Sequence, residues 1–265
     1  MPDMQAMATD VQAEHDDLLA LLRDVSDDQW DAPTTAPGWS VRDQVTHVAV
    51  FDDVARMAIE DPDAFVQLRD RQGADVQRYV HEVNERGRGL RGAEMVDWSA
   101  RERAGLVQAL RAVDPKARIP WFGPAMSPAS KATARLMESW AHGQDIVDAL
   151  GLDRRPTARL YHVAYIGVRA VPNSFRTNGR EIPQDDVYVA LDAPGGDRWV
   201  WGDVDATNRV EGDALDFCLV VTQRRHVDDT DLVVSGEMAR EWMLIAQAFA
   251  GPPGAGRTPG QFRAR

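Results

Sequence analysis

The stretch ESWAHGQD, Glu138–Asp145, lies in a run whose apolar spacing predicts one long helix, opened at Ser127 or Ser130 and closed at Gly151. Glu138 and His142 are four residues apart and Asp145 follows three later, so all three share one face. The flanking residues are apolar enough to turn that face inward. Three ionisable groups on the buried side of a helix leave three readings: a salt-bridged structural network, a general acid/base site, or half of a metal site.

Working outward, the N-terminal part predicts more helices to surround this one. Residues 4 to 29 carry Met4, Met7, Val11, Leu18, Leu22 and Val25 at helical spacing. The turn-rich DAPTTAPGWS follows, and Ser40 with Asp43 forms an acidic capping box for VRDQVTHVAVFDDVARMAIE. Asp61 to about Asn84 is helical by pattern with a break at Gly73, Ser99 reads as the cap of ARERAGLVQALRAV, and ARLYHVAYIGVRAV predicts a helix ending near Pro172. The texture then changes. VYVALDA and DRWVWGD, separated by PGG, predict a hairpin, ALDFCLVVTQRR leans to helix, DLVVSG reads as a strand and EMAREWMLIAQAFA as a helix. The fold class is therefore mainly α with an α+β C-terminal part: a helical bundle over 1–175, a small α+β domain over 180–252, and a flexible tail over 253–265 rich in Gly, Pro and Arg.

Composition narrows the partners. The chain has 265 residues, 44% of them hydrophobic, and a formal net charge of −12. Without a concentrated basic footprint, neither nucleic acid nor an anionic membrane is an expected partner. No run reaches membrane-spanning length and no secretory leader is visible, so a cytoplasmic monomer or homodimer acting on a small molecule is expected. Cys218 is the single cysteine, which excludes an intrachain disulfide and a cysteine-based zinc site, and DFCLVV reads as a buried setting for it. Only Lys116 and Lys131 are lysines among the 30 basic residues. With abundant Ala, Asp and Val, this points to a GC-rich bacterial genome.

His47 belongs to an apolar stripe with Phe51 and Val54, so it is expected to face the bundle interior. Two imidazoles and a carboxylate form the ligand set of an open, catalytic metal site, which leaves a position for water or substrate. His47, Glu138 and His142 are thus the candidate ligands, and Asp145 is placed to accept the free ring N–H of a ligand histidine. His15 reads as a solvated helix-face residue, and His81 and His226 lie in charged surroundings. His162 sits on an apolar helix, either as a core histidine or facing the same cavity as a catalytic group. There is no GxSxG elbow, P-loop or GxGxxG after a strand, and RQGAD and GRGLRG are loop glycines.

TAPGWSVRDQVTHVA, Thr35–Ala49, resembles the signature of the DinB-like, mycothiol-dependent maleylpyruvate isomerase superfamily, in which a Pro-Gly-Trp loop leads into a helix bearing a ligand histidine. ESWAHGQD resembles that superfamily's second element. The resemblance covers nearly the whole chain. The WFGPAMS loop and the C-terminal segments are similar to an actinobacterial metal-binding subgroup with a sterol-carrier-like C-terminal domain. It implies a four-helix bundle holding zinc, or alternatively nickel, through His47, Glu138 and His142. Mycothiol or a related thiol would be bound as thiolate and attack an electrophilic substrate, in a thiol-dependent isomerisation or transfer. It also implies a substrate-binding arginine in the C-terminal domain, for which Arg224 and Arg225 are the candidates. Trp121, Phe122 and Met126 are the candidate pocket walls. Two rivals stand beside this reading: a thiol-independent Lewis-acid isomerase, cyclase or hydrolase of specialised metabolism, and a non-catalytic metal-containing binding protein.

Overall fold

The computed structural model describes residues 3–73 and 76–262. Two compact units divide at 154/155: Met1–Arg154 and Arg155–Arg265. The first is helical. Its elements are α1 (Met4–Leu21), α2 (Asp27–Trp30), α3 (Val41–Glu60), α4 (Pro62–Gln72), α5 (Val76–Asn84), α6 (Gly92–Ala112) and α7 (Pro128–Leu150). Packing of α1 on α6, α6 on α3, α3 on α7 and α7 on α1 closes a ring of four helices. One end is filled by Leu18, Leu22, Trp30, Val41, Val45, Met95 and Ile146. A second cluster joins Val50, Phe51 and Val54 of α3 to Phe65, Tyr79 and Ile119.

Local chemistry sets the helix limits. Ser40 Oγ accepts from the Asp43 N–H while the Asp43 carboxylate accepts from the Ser40 N–H, the reciprocal box that starts α3. Ser127, not Ser130, caps α7, and Gly151 ends it in the left-handed region at φ 63°. The helix expected over 4–29 stops at Leu21, because Ser26 and Gln29 form a new capping box and open α2. Ser99 is not a cap. α6 starts two turns earlier, where Glu94 accepts from the Arg91 N–H, and Ser99 is buried inside it. Gly92 permits the close approach there, since a Cβ would stand 2.4 Å from Trp30 Nε1. Of the RQGAD loop, residues 74 and 75 lie outside the described residues.

The second unit is α+β: α8 (Leu160–Arg169), α9 (Val171–Thr177), β1 (Val187–Asp192), β2 (Arg198–Trp201), β3 (Asn208–Asp213), α10 (Ala214–Val221), β4 (Val233–Ser235) and α11 (Glu237–Ile245). The sheet order is β2-β1-β3-β4. β1 and β2 form the expected hairpin, with Val189 opposite Trp201 and Asp192 opposite Arg198. β3 is a strand that the sequence pattern does not predict. It runs parallel to β1 and antiparallel to β4, with Asn208 and Val210 buried. α8 ends at Arg169, near Pro172 as expected, and Pro172 itself lies in the first turn of α9, where its missing N–H costs nothing. The change of texture near 172–185 therefore differs from the division by packing. α8 lays Leu160, Val163 and Ala164 against α10, and α9 packs on α11, so both helices belong with the sheet. Residues 253–262 are coil tied down at Gly254, whose N–H donates to Gln247 Oε1, and at Gly260, whose N–H donates to Asp229. Residues 263–265 lie outside the described residues. Among the described residues no helix is long and apolar enough to cross a membrane.

Candidate metal centre

Within the first unit, α3 and α7 bring His47, Glu138 and His142 together, with ligand atoms all within 4.8 Å of one another. His142 Nε2 lies 3.1 Å and His47 Nε2 3.5 Å from the same oxygen, Glu138 Oε2. The three side chains are 12, 24 and 13% exposed in the order His47, Glu138, His142, so the cluster is largely buried yet reachable.

A chain of hydrogen bonds fixes which lone pair of His142 points inward. Thr34 Oγ1 donates to the Trp39 carbonyl, Gln44 Nε2 donates to Thr34 Oγ1 at 2.8 Å, and Gln44 Oε1 therefore faces His142 Nδ1 at 2.5 Å. His142 Nδ1–H donates to that oxygen, which leaves Nε2 with its lone pair aimed at a carboxylate oxygen. Two electron-rich atoms 3.1 Å apart require a cation or a proton between them. Burial pushes the Glu138 carboxyl up, but its hydrogen bonds and charge interactions with His142 and His47 outweigh this and hold it well below the usual carboxylate range. Burial first, then the neighbouring His142, lowers His47 to about 4 against the pull of Glu138, so its imidazole is neutral near neutral pH. A neutral imidazole and an ionised carboxylate are the forms that ligate a metal. Tetrahedral coordination at zinc distances separates ligand atoms by about 3.4 Å, which the two spacings to Glu138 Oε2 fit.

The walls are aromatic. Trp39 stacks on His142 with centroids 5.7 Å apart and planes 8° apart, and meets His47 at 5.2 Å. Gly38, at φ 78°, makes the turn that presents it. Phe51 lies 4.5 Å from the His47 ring and continues to Trp121 at 6.4 Å and Phe122 at 6.1 Å. Trp121 also stacks on Phe65, so it packs into the second core cluster as well as extending the wall. Met126 pairs with Ile119 in a short backbone bridge that closes the loop.

The anticipated role of Asp145 falls to Gln44. Asp145 accepts a hydrogen bond from Thr35 Oγ1 at 3.0 Å, whereas the contact on His142 Nδ1 is made by Gln44. Neither Gln44 nor Trp39 stands out in the sequence, although Gln44 precedes His47 by one helical turn and Trp39 lies in the Pro-Gly-Trp loop. His15 is 0% exposed rather than solvated: its Nε2 meets Ser99 Oγ at 3.2 Å. The other candidates belong to the second unit. His162 is half-buried on α8 beside Tyr161. Arg224 donates to the Thr222 carbonyl at 2.6 Å, and Arg225 lies over Phe262 at 4.3 Å. Cys218 is buried with Sγ near the Leu160 carbonyl, and burial pushes its thiol well up.

Residues 11–147 match the family described as the mycothiol maleylpyruvate isomerase N-terminal domain. Two uncharacterized proteins of Mycobacterium tuberculosis strains are each 43% identical over 258 residues, covering 97% of this chain and 100% of the relative. A crystal structure of the mycothiol-dependent maleylpyruvate isomerase shares the fold at TM-score 0.56 and 14% identity, covering 84% of this chain and 90% of that one. A histidine-to-alanine variant of that isomerase matches equally.

Proposed function

The chain belongs to the mycothiol maleylpyruvate isomerase N-terminal domain family, and on that footing we propose that it is a metal-dependent enzyme acting on a small electrophilic metabolite, as a thiol-dependent isomerase or transferase. The observation that carries the metal is the convergence of one ligand atom each from His47, Glu138 and His142 within 4.8 Å, with the His142 ring set by the Gln44 hydrogen bond. A divalent ion there, zinc first by ligand type, would supply Lewis acidity that favours the ionised form of a water or small thiol and polarises a carbonyl. The protein's part is to hold the three ligands in register, keep His47 and Glu138 in ligating form, and wall the site with Trp39 and Phe51 against bulk water. A thiol from outside the chain is required, because the one cysteine is buried with its proton firmly held. Mycothiol is the cosubstrate suggested by the family.

Metal analysis of the purified protein is expected to give about one divalent ion per chain, and His142→Ala or Glu138→Gln to lose it. Full occupancy in both variants would overturn the assignment. Turnover of maleylpyruvate with and without mycothiol then tests the thiol: a rate unchanged by its omission rejects that part of the proposal.

A further inference from the structure

Lys131 stands apart from the metal cluster. It lies on α7, two turns before Glu138, and is 1% exposed. Its Nζ has no hydrogen-bond partner and sits 3.1 Å from the centroid of the Trp121 ring. Trp121 comes from the loop before α7, which is closed by the Ile119–Met126 bridge and leaves residues 123–125 exposed. The loop thus folds an indole over an amine that nothing else satisfies. A buried ammonium with no anion beside it is costly, and a lysine in that position gives up its proton. The structure agrees in direction: burial, and then the Arg135 guanidinium one turn along, lowers Lys131 to about 6.

The choice of residue adds a separate argument. In a chain that uses arginine for all but two of its 30 basic positions, a buried site carries lysine. Arginine stays charged under all ordinary conditions, whereas an amine can become neutral and nucleophilic. A desolvated lysine in an aromatic setting next to another cation is the arrangement that activates an amine.

We propose that Lys131 is a reactive amine that condenses with a small aldehyde or ketone admitted past Trp121. In that step Nζ attacks the carbonyl carbon and a C–N bond forms. The carbonyl oxygen then leaves as water with both amine hydrogens, giving a C=N bond with no change of oxidation state. The site needs no metal, so its test is independent of the metal reading.

The full-length protein, with and without added zinc, is incubated with glyoxylate and cyanoborohydride, and the product is mapped by mass spectrometry. With Lys116 exposed and Lys131 buried, the two lysines give a clean comparison. At neutral pH, Lys131 is expected to be carboxymethylated about ten-fold faster than Lys116, with its rate half-maximal near pH 6. Trp121→Leu should raise the Lys131 rate, and Lys131→Arg should abolish that product while Lys116 still reacts. Labelling of the wild-type chain confined to Lys116 at both neutral and alkaline pH would overturn the proposal.

Discussion

Gln44 links the Pro-Gly-Trp loop to the His47–Glu138–His142 cluster through one side chain. Its amide is oriented by Thr34, and its carbonyl in turn orients the His142 ring. Gln44→Leu removes that acceptor and frees the ring to turn, so zinc affinity should fall by about 10–100-fold, with the fold retained. Calorimetric titration of the metal-free protein with zinc checks this, and an unchanged affinity would show that the ring is held by packing alone. The candidate ligands could be singled out because the Glu138–His142 pair stands together with the Pro-Gly-Trp loop before His47, a combination that resembles the family signature, whereas the one-turn spacing alone left other readings open. Gln44 was not, because glutamine has no signature spacing and its orientation depends on Thr34. Asp145 misled because it shares the helix face of His142, while its side chain reaches across to Thr35. His15 misled for a similar reason. Its acidic neighbours in AEHDD suggest water, but helical phase turns it to Ser99.

Three helices meet at one carboxylate, and a fourth is tied to it through an arginine. Asp52 of α3, fully buried, accepts from Arg103 Nε of α6 at 2.7 Å and from Arg135 Nε of α7 at 3.0 Å. Arg103 also reaches Ser139 of α7 and the Val11 carbonyl of α1, and Arg135 reaches the Val48 carbonyl. Every helix of the ring is therefore tied to this knot. Asp52→Ala leaves two buried guanidiniums without their anion and is expected to destabilise the protein by about 3–5 kcal/mol. Chemical denaturation followed by circular dichroism measures it, and a loss under about 1 kcal/mol would mean water replaces the carboxylate. Helices α1, α3, α4 and α7 were readable from period and caps. The true start of α6 was visible only in the Arg91–Glu94 box, and β3 escaped because NRVEGD has few apolar residues. Its Asn208 and Val210 alternate correctly but gain meaning only between β1 and β4.

Across the whole molecule outside the His47–Glu138–His142 cluster, two buried bases make stability depend on pH. Lys131 falls from 10.5 to about 6, and His15, through burial and then Arg103, falls well below 6.5. Both are more protonated in the unfolded chain than in the folded one over the intervening range, so stability rises with pH there. For Lys131 the window runs from about 6 to 10.5, and for His15 it lies below 6.5. Urea midpoints are expected to climb from mildly acid to alkaline pH, and Lys131→Met should flatten the climb above neutrality. Parallel curves for the two proteins would show that Lys131 keeps its proton when folded. The two-part organisation could be read from the change of texture, but the assignment of α8 and α9 could not, since an apolar helix face does not name its partner.

The same division bears on what a change to one part of the chain can reach. The family match ends at residue 147 and the first unit at Arg154, and all three candidate ligands, Gln44 and the Asp52 knot lie inside both limits. The candidate metal centre and the buried ion-pair knot are thus built from one unit alone. A change confined to the C-terminal unit would leave every candidate ligand and the Asp52 knot on helices that it does not supply.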